Sequence, residues 1–470
     1  MLDANGKDDF WRLNYHLMPP SGWMNDPNGL CWFNGCYHVF YQYTPNNPNG
    51  ALKYWGHYSS TDMINWDEMG IALSPDTPFD RDGVYSGSAL AVKGKMHLFY
   101  TGNVKFKGSY DYITEGREGN TIHVSSEDGV HFGEKSCVIA AAGYPPGMSC
   151  HIRDPKVWQE NASQHAPYFL ILGARTLDNR GQALIYQSPN LECWDYIASV
   201  CTENYFGYMW ECPDVFQLNG INILSISPQG VEPDGYDYQN TYQSGYFQYK
   251  GSLTGEYELG GFKEWDRGFD FYAPQTFEDK EGRRIMIGWM GMPDTPQHVN
   301  PTITDGWQHA LTLPREIFSC QGRIFQRPIT EIEELRMEGH ELPTGKETPM
   351  MASYEALILN SSGGSIKVSI NARVSVEFNK GDQEFFIEFH DSALGGGRAK
   401  RSARMENCFE IRLFVDTSSV EIFINGGEEV FSTRFYPEDG RSCLSVTGEG
   451  FSGKYWQLKP LTINNKYGIR

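Results

Sequence analysis

The chain has 470 residues, and this length predicts two or three domains rather than a single core. Its formal net charge of −20 argues against nucleic acid and anionic membrane surfaces as partners, because both carry the same sign of charge. Hydrophobic residues make up 40% of the chain, which allows packed cores and excludes extended disorder.

The N-terminus has no apolar segment, and no run of about 18 apolar residues occurs, so neither a signal peptide nor a transmembrane helix is expected. The ten cysteines lack paired spacings, a pattern typical of reduced thiols. We therefore expect a cytoplasmic protein with no membrane partner. No zinc-type, Walker or His-Glu-x-x-His pattern occurs, so no metal or cofactor is expected.

The first informative stretch is residues 23–29 (WMNDPNG), whose Asp-Pro and Asn-Gly pairs predict an extended segment that ends in a turn. Residues 30–43 are rich in aromatic and β-branched side chains and are interrupted by Asn34-Gly35, which predicts a β-hairpin. Asp26 at the mouth of this hairpin has two interpretations, a turn-capping carboxylate or a catalytic one. This stretch alone favours the structural interpretation.

Residues 1–320 alternate short β-type runs with Gly, Asn, Asp and Pro turns, and these runs recur in five similar units. Each unit spans about 60 residues and contains three or four predicted strands. The units begin near Asp26, Gly87, Asp154, Asp214 and Gln275. Five such repeats predict a five-bladed β-propeller.

The pattern changes after the fifth unit. Residues 329–337 are charged and lack strand alternation, which predicts a short helix or a linker. Alternating runs follow, and residues 420–431 have the pattern of a hairpin, so a second all-β domain with the form of a sandwich is expected. We predict a propeller over residues 1–325, a linker over 326–350 and a sandwich over 351–470.

Three carboxylates lie at the beginnings of repeats: Asp26, Asp154 and Glu211. The first strand of each propeller blade lines the central channel, so these acids are expected to converge. A core built only for stability would avoid their mutual repulsion. Paired carboxylates about 5–5.5 Å apart carry out retaining glycoside hydrolysis. Arg153 is expected to hold Asp154 ionised. Trp210 and Tyr208, close to Glu211 in the sequence, are expected to form an apolar wall beside it.

The stretch at 23–29, Arg153-Asp154-Pro155 and Glu211-Cys212 together resemble the signature motifs of glycoside hydrolase family 32. Further blocks resemble that family in the same order, at residues 40–43, 55–57, 85–88, 271–275, 306–316, 416–425 and 433–437. The resemblance covers nearly the whole chain. It implies a retaining β-fructofuranosidase from the group of invertases, sucrose-6-phosphate hydrolases and exo-fructanases.

The resemblance also implies roles for individual residues. Asp26 aligns with the nucleophile that attacks the anomeric C2 of fructose, and Glu211 aligns with the general acid/base. Asp154 aligns with the transition-state stabiliser, which binds fructosyl hydroxyls. The implied substrate-binding residues are Trp23, Asn25, Gln42, Trp55, Tyr85, Ser86, Arg153, Tyr272 and Trp289. Relatives often have Phe where this chain has Tyr85, and both Trp55 and Trp289 could equally fill blade cores.

The expected reaction removes a terminal β-fructosyl unit from a small sugar, either sucrose, sucrose 6-phosphate or a short fructo-oligosaccharide. Two alternatives are a catalytically silent fructan-binding protein and an inverting five-bladed glycosidase that acts on arabinan or xylan. The presence of all three acids disfavours the first, and the motifs disfavour the second. A preference for phosphorylated sugar would need cations near the pocket, for which Lys53, Lys105, Lys107 and Arg175 are candidates. A monomer or a homodimer is expected.

Overall fold

The computed structural model describes residues 10–160, 166–296, 298–438 and 442–466. Strands in these residues form seven sheets, of which five are the blades of a β-propeller and two form a C-terminal sandwich. The predicted all-β architecture is therefore confirmed. Within the same residues, no helix is long and apolar enough to cross a membrane.

The first four blades are antiparallel sheets in which each strand pairs with the next one along the chain. Blade 1 contains β1 (Gly22–Phe33), β2 (Cys36–Thr44), β3 (Tyr54–Ser60) and β4 (Asn65–Leu73). Blade 2 contains β5 (Val84–Val92), β6 (Lys95–Lys105), β7 (Arg117–Ser126) and β8 (Ser136–Ile139), followed by a 3₁₀ helix at Ala141–Gly143. Blade 3 contains β9 (Met148–Gln159), β10 (Tyr168–Thr176), β11 (Gly181–Ser188) and β12 (Asp195–Val200). Blade 4 contains β13 (Met209–Leu218), β14 (Ile221–Gln229), β15 (Gly245–Gly251) and β16 (Tyr257–Glu264).

Blade 5 closes the ring against blade 1. Its strands are β17 (Tyr272–Glu278), β18 (Arg284–Met290), β20 (Ala310–Leu311), β21 (Arg315–Cys320) and β22 (Arg323–Pro328), and the short β19 (Trp307–Gln308) follows a 3₁₀ helix at Pro301–Asp305. The β19 strand pairs in parallel with β1, matching Gly22 to Trp307. The first and last units of the propeller are therefore joined by backbone pairing.

The innermost strand of every blade carries a β-bulge at the same register position. In each bulge, two consecutive residues of the inner strand lie opposite a single residue of the neighbouring strand. A bulge bends the strand and redirects its side chains, which is why bulges occur beside active sites. The residues inside these bulges include Asp26, Ser86, Asp154, Cys212 and Ala273.

The bulges correct two details of the predicted repeats. The strand register makes five residues equivalent: Pro27, Gly87, Lys156, Asp214 and Gln275. The predicted starting points Asp26 in blade 1 and Asp154 in blade 3 therefore lie before the equivalent residues of their blades. The hairpin turn predicted between β1 and β2 is confirmed. The earlier turn predicted at residues 28–29 is wrong, because both residues lie within β1, beside a second register shift.

The sandwich consists of two six-stranded sheets around one apolar core. One sheet contains β23 (Arg336–Glu341), β25 (Tyr354–Asn360), β30 (Glu410–Asp416), β31 (Ser419–Ile424), β32 (Glu429–Arg434) and β34 (Phe451–Leu458). The other contains β24 (Thr348–Met350), β26 (Ile366–Ile370), β27 (Val374–Asn379), β28 (Glu384–Phe389), β29 (Lys400–Arg404) and β33 (Ser442–Gly448), with a short helix α1 (Ser392–Gly395) after β28. Residues 326–350, predicted as a linker, contain a 3₁₀ helix at Thr330–Leu335 and the strands β23 and β24.

Several connections hold the sandwich against the propeller, among them a strand pairing and a buried ionic network. The final strand, β35 (Thr462–Asn465), pairs in parallel with β4 of blade 1. A buried ionic network also crosses between the domains: His16 lies 2.9 Å from both Asp416 and Glu421, and Arg315 pairs with Glu421 at 2.5 Å and Asp266 at 3.0 Å. Every side chain in this network is fully buried.

Candidate active site

Asp26 lies in the bulge of β1 and accepts hydrogen bonds from side chains of two blades. Asn25 Nδ2 donates to its Oδ1 at 3.0 Å, and Ser86 Oγ donates to its Oδ2 at 2.5 Å. Gln42 Nε2 lies 3.4 Å from Oδ2 and also contacts Ser86. Burial raises the pKa of Asp26, although the bonds from Ser86 and Asn25 act in the opposite direction. These donors fix the orientation of the carboxylate.

Glu211 is held by three donors. Arg153 donates to Oε1 from Nε at 2.9 Å and from Nη2 at 2.5 Å. Tyr272 OH donates to Oε2 at 2.6 Å, and Gln229 Nε2 donates to the same oxygen at 3.0 Å. Arg153, Glu211 and Tyr272 occupy equivalent register positions on three successive blades, which brings their side chains together.

Arg153, which was expected to hold Asp154 ionised, forms its ion pair with Glu211 instead. Successive residues of a strand project in different directions. The Arg153 guanidinium therefore reaches Glu211, while the Asp154 carboxylate contacts Cys212. The Arg153 charge still acts on its neighbour. Burial raises the pKa of Asp154 to about 7, while Arg153 lowers it. The charges of Glu211 and Asp26 also contribute to this raised pKa of Asp154.

Asp154 and Cys212 link the acids to one another. Asp154 is buried with φ +62°, and its N–H donates to Thr101 Oγ1 at 2.8 Å. Its Oδ2 accepts from the N–H of Cys212 at 3.0 Å. Cys212 Sγ lies 3.6 Å from Asp154 Oδ2 and 3.8 Å from Asp26 Oδ2. Three carboxylates from blades 1, 3 and 4 therefore surround one small region of the channel.

Cys212 is a packing partner for these acids. Burial and then the neighbouring carboxylates raise the pKa of its thiol well above the usual range, so it stays protonated and is a poor nucleophile. All ten cysteines are free thiols. Across the described residues, no group of three or more His, Cys, Asp or Glu side chains is arranged to hold a metal ion.

Aromatic rings form a wall beside Asp26. The rings of Trp23 and Trp289 lie 6.1 Å apart, and His309 packs edge-on against both at 4.4 and 4.9 Å. Trp23 Nε1 donates to Asn25 Oδ1 at 2.7 Å, which orients the amide that binds Asp26. This arrangement places Trp23 next to the candidate nucleophile.

Two other tryptophans lie away from the acids. Trp55 is fully buried between blades 1 and 2, where its Nε1 donates to the carbonyl of Tyr85 at 3.0 Å. Trp210 lies in the core between blades 3 and 4, and its Nε1 donates to the carbonyl of Phe206 at 2.9 Å. The apolar wall predicted from Trp210 is therefore wrong, because adjacent strand residues face opposite ways and Glu211 faces the channel.

The four candidate cations lie in different environments. Lys53 lies 4.6 Å above the ring of Trp23, and burial lowers its pKa to about 7 while Asp26 opposes that shift. Arg175, in β10 of blade 3, lies 4.5 Å above the ring of Tyr208, which immediately precedes the first strand of blade 4. The other two, Lys105 and Lys107, are exposed at the hairpin between β6 and β7.

Sequence reasoning missed several residues of the site. Gln229 ends β14, the strand that pairs with the Glu211 strand, so hairpin register could have indicated it. His309 lies within the block at residues 306–316, but its contact with Trp23 was not predicted. Thr101 and Arg117 lie on other elements, and no local pattern marks them. Their contacts depend on how blades are arranged in space, which a single sequence does not specify.

Comparison with known proteins agrees with this geometry. The family model "Glycosyl hydrolases family 32 N-terminal domain" matches residues 16–328, and "Glycosyl hydrolases family 32 C terminal" matches residues 336–463. A sucrose-6-phosphate hydrolase from Bacillus subtilis is 38% identical over 457 residues, covering 94% of this chain and 92% of that protein. A raffinose invertase from Escherichia coli is 37% identical over 470 residues, covering 95% of each.

Solved structures are similar over the same extent. A sucrose-6-phosphate hydrolase from Lactobacillus gasseri superposes with a TM-score of 0.89 at 28% identity, covering 98% of this chain and 96% of that one. A family 32 β-fructofuranosidase from Bombyx mori superposes with a TM-score of 0.85 at 30% identity, covering 97% and 95%. This chain belongs to glycosyl hydrolase family 32.

Proposed function

We propose that the chain is a retaining β-fructofuranosidase for sucrose-type sugars, in which Asp26 is the nucleophile, Glu211 the general acid/base and Asp154 the transition-state stabiliser. Family membership and the sucrose-processing relatives support the enzyme class. The observation that carries the residue roles is the position of Cys212, which contacts the carboxylates of Asp154 and Asp26 and directly follows Glu211 in β13.

The first step forms a covalent fructosyl-enzyme. A carboxylate oxygen of Asp26 attacks the anomeric C2 of the fructosyl unit, and the bond from C2 to the leaving oxygen breaks as Glu211 transfers a proton to that oxygen. In the second step Glu211 removes a proton from water, the resulting oxygen attacks C2, and the bond to Asp26 breaks. The anomeric configuration is inverted twice and is therefore retained.

The surroundings of each acid suit its role. Asp26 accepts from Ser86 and Asn25, which stabilise the ionised form that attacks. Three neighbouring buried carboxylates resist complete ionisation, and a pKa of about 7 for Asp154 means that the free site retains a proton near neutral pH.

The substrate is a small sugar with a terminal β-fructosyl unit, such as sucrose or sucrose 6-phosphate, the latter named for several relatives. The Trp23–Trp289 wall and the Asn25, Gln42 and Ser86 side chains support a fructosyl subsite around Asp26. We place the enzyme in the cytoplasm, a location that ten free thiols support.

The test is the stereochemistry of hydrolysis followed by NMR. Wild-type protein should release fructose first as the β-furanose, and Asp26→Asn should lose at least a thousandfold of the kcat for sucrose. Asp195→Asn makes the same chemical change on the exposed outer strand of blade 3 and serves as the matched control. First release of the α anomer would contradict retention, and a protein that binds sugar without turnover would contradict the enzyme.

A further inference from the structure

His151 contacts the arginine that binds the candidate acid/base. It lies in β9 two residues before Arg153, and residues two apart in a strand project to the same face. Arg153 Nη1 donates to His151 Nδ1 at 2.7 Å, while Nε and Nη2 of the same guanidinium donate to Oε1 of Glu211. The guanidinium is therefore held by a carboxylate on one edge and by an imidazole on the other.

The tautomer of His151 follows from its two partners. Arg153 can only donate, so Nδ1 of His151 is the acceptor and carries no proton. Nε2 lies 3.1 Å from the carbonyl oxygen of Tyr112, which can only accept, so Nε2 carries the ring proton and donates it. The imidazole is therefore neutral, and each of its nitrogens has one partner.

The surroundings of His151 keep this ring neutral. Burial, and then the positive charges of Arg153 and Arg117, lower the pKa of His151 to about 3. The bond to the carbonyl of Tyr112 opposes this shift, and the charge of Arg175 adds to it more weakly. Because the ring carries no charge near neutral pH, it offers a lone pair to the guanidinium and does not repel its positive charge.

The carbonyl that fixes the tautomer belongs to the hairpin turn between β6 and β7 of blade 2. Asp111 Oδ1 accepts from the N–H of Ile113 at 2.8 Å, which caps this turn with a carboxylate. The N–H of Cys150 donates to the carbonyl of Ile113 at 2.7 Å, next to the bond between His151 and Tyr112. The carbonyls of two consecutive turn residues therefore contact two consecutive residues of β9, which fixes the position of the imidazole.

Two carboxylates attract the charge of Arg153. Burial alone would lower the pKa of Arg153, but the charges of Glu211 and Asp154 raise it, so the guanidinium is charged and is drawn toward both acids. A planar guanidinium that is anchored at Nη1 has little freedom to rotate, so Nε and Nη2 stay directed at Glu211. Without an acceptor at Nη1, the same group is free to turn toward Asp154.

We propose that His151 is a positioning residue of the hydrolase: its Nδ1 holds the Arg153 guanidinium on Glu211 and thereby orients the carboxyl group that donates the proton. The inference rests on the proposed function, in which Glu211 protonates the leaving oxygen. His151 acts through Arg153 and needs no contact with the sugar. Its effect should therefore depend on how much the leaving group needs a proton.

Two substitutions separate the two hydrogen bonds of the imidazole. The side-chain oxygen of asparagine lies close to the position of Nδ1, so His151→Asn keeps an acceptor for Arg153. The amide of glutamine lies close to the position of Nε2, so His151→Gln keeps a donor for the carbonyl of Tyr112 and loses that acceptor. His340→Gln makes the same change at an exposed residue of β23 in the sandwich and is the matched control.

The experiment measures kcat/KM, which reports the first step alone, for sucrose and for a β-fructoside with an activated aryl leaving group. His151→Gln should lose about tenfold or more on sucrose and less than about threefold on the activated substrate, because the latter needs no acid. His151→Asn should stay within about threefold of wild type on both substrates. His340→Gln should match wild type on both.

A second measurement uses the wild-type protein alone and does not depend on the folding of a variant. Nitrogen NMR of histidine-labelled protein should show His151 with a proton on Nε2 and none on Nδ1 from pH 5 to 8. A proton on Nδ1 anywhere in that range would overturn the inference, because Nδ1 could then accept nothing from Arg153.

The kinetic outcomes separate this inference from the proposed function. Equal loss on both substrates in His151→Gln, or no loss on either, would overturn the positioning role and leave the fructosidase intact. A loss on sucrose in His151→Asn as large as in His151→Gln would likewise overturn it, because the acceptor at Nδ1 would then not be what matters. Absence of turnover of either substrate in wild type would contradict the enzyme itself, and the inference with it.

Discussion

At the scale of single residues, the ionised form of Asp154 destabilises the folded protein. An unfolded Asp titrates near 3.9, whereas burial raises the pKa of Asp154 in the folded chain to about 7. Between those two values the folded state holds a proton that the unfolded state has released. The contribution of this group to stability therefore falls as the pH rises from about 4 to about 7, and the penalty is complete above that range.

Asp154→Asn should remove this penalty. At pH 8 we expect the variant to exceed wild type in free energy of unfolding by roughly 1–4 kcal/mol, because up to about three pKa units of unfavourable ionisation are lost. At pH 4 the two proteins should be nearly equal. Urea unfolding at both pH values measures the difference, and a variant no more stable than wild type at pH 8 would contradict the account. Hydrolysis should be severely impaired in the same variant.

The side-chain contacts in the candidate active site could be predicted only in part from the sequence. The motifs indicated the three acids, since each lies next to an unusual local sequence. The partner of Arg153 and the burial of Trp210 could not be predicted, because both depend on which way a side chain leaves a bulged strand. A shift of one residue in a strand reverses the face, and sequence spacing alone does not fix the position of a bulge.

At the scale of elements, the bulges of the five inner strands position the chemistry. Asp154, Cys212 and Ala273 have φ values of +62°, +46° and +47°, in the left-handed region that non-glycine residues rarely adopt. The repeat length was predictable from turn spacing and strand composition. The bulges were not, because none of these three residues is the glycine or asparagine that usually marks such a backbone.

Cys212→Val tests the importance of that backbone. A β-branched residue is poorly tolerated at positive φ, so we expect Cys212→Val to lower the free energy of unfolding by roughly 1–3 kcal/mol more than Cys212→Ala does. The alanine variant removes the thiol and keeps the unbranched Cβ, which makes it the matched comparison. Chemical denaturation of both variants gives the difference. If the two are equally stable, strain at the bulge does not constrain this position.

At the scale of the whole molecule, the buried ionic network joins the two domains. Burial alone would lower the pKa of His16, but the bonds to Asp416 and Glu421 outweigh it and raise the pKa. Burial likewise opposes ionisation of Asp416 and Glu421, yet their cationic partners lower both pKa values. Stability from His16 is complete below its unfolded pKa of about 6.5 and is lost as the pH rises through the raised folded value.

His16→Gln should weaken the join between the domains. Removing the imidazolium leaves two buried carboxylates short of a partner, at a cost of about 3–5 kcal/mol, and abolishes the decline in stability above pH 6.5. Urea unfolding from pH 6 to 9 measures both effects. His131→Gln, at an exposed pair with Asp128, is the control and should change little. A wild-type decline that persists in His16→Gln would assign it to other groups.

The long-range assembly was the least predictable level. The two-domain all-β plan followed from repeats and alternating patterns. The return of residues 462–465 to blade 1 did not, because a short polar strand carries no information about its partner. The strands β23 and β24 were not predicted for a similar reason: β23 is a charged edge strand, and β24 is an edge strand of three residues that contains Pro349.

The central claim is that Asp26 forms a bond to fructose while Glu211 acts as acid and base. Glu211→Gln incubated with a β-fructoside that carries an activated leaving group should accumulate the fructosyl-enzyme, because the first step then needs no acid and the second lacks its base. Mass spectrometry of the digested protein should find one added fructosyl unit on the peptide that contains Asp26. An adduct on the Asp154 peptide, or rapid turnover with no adduct on any carboxylate, would contradict the account.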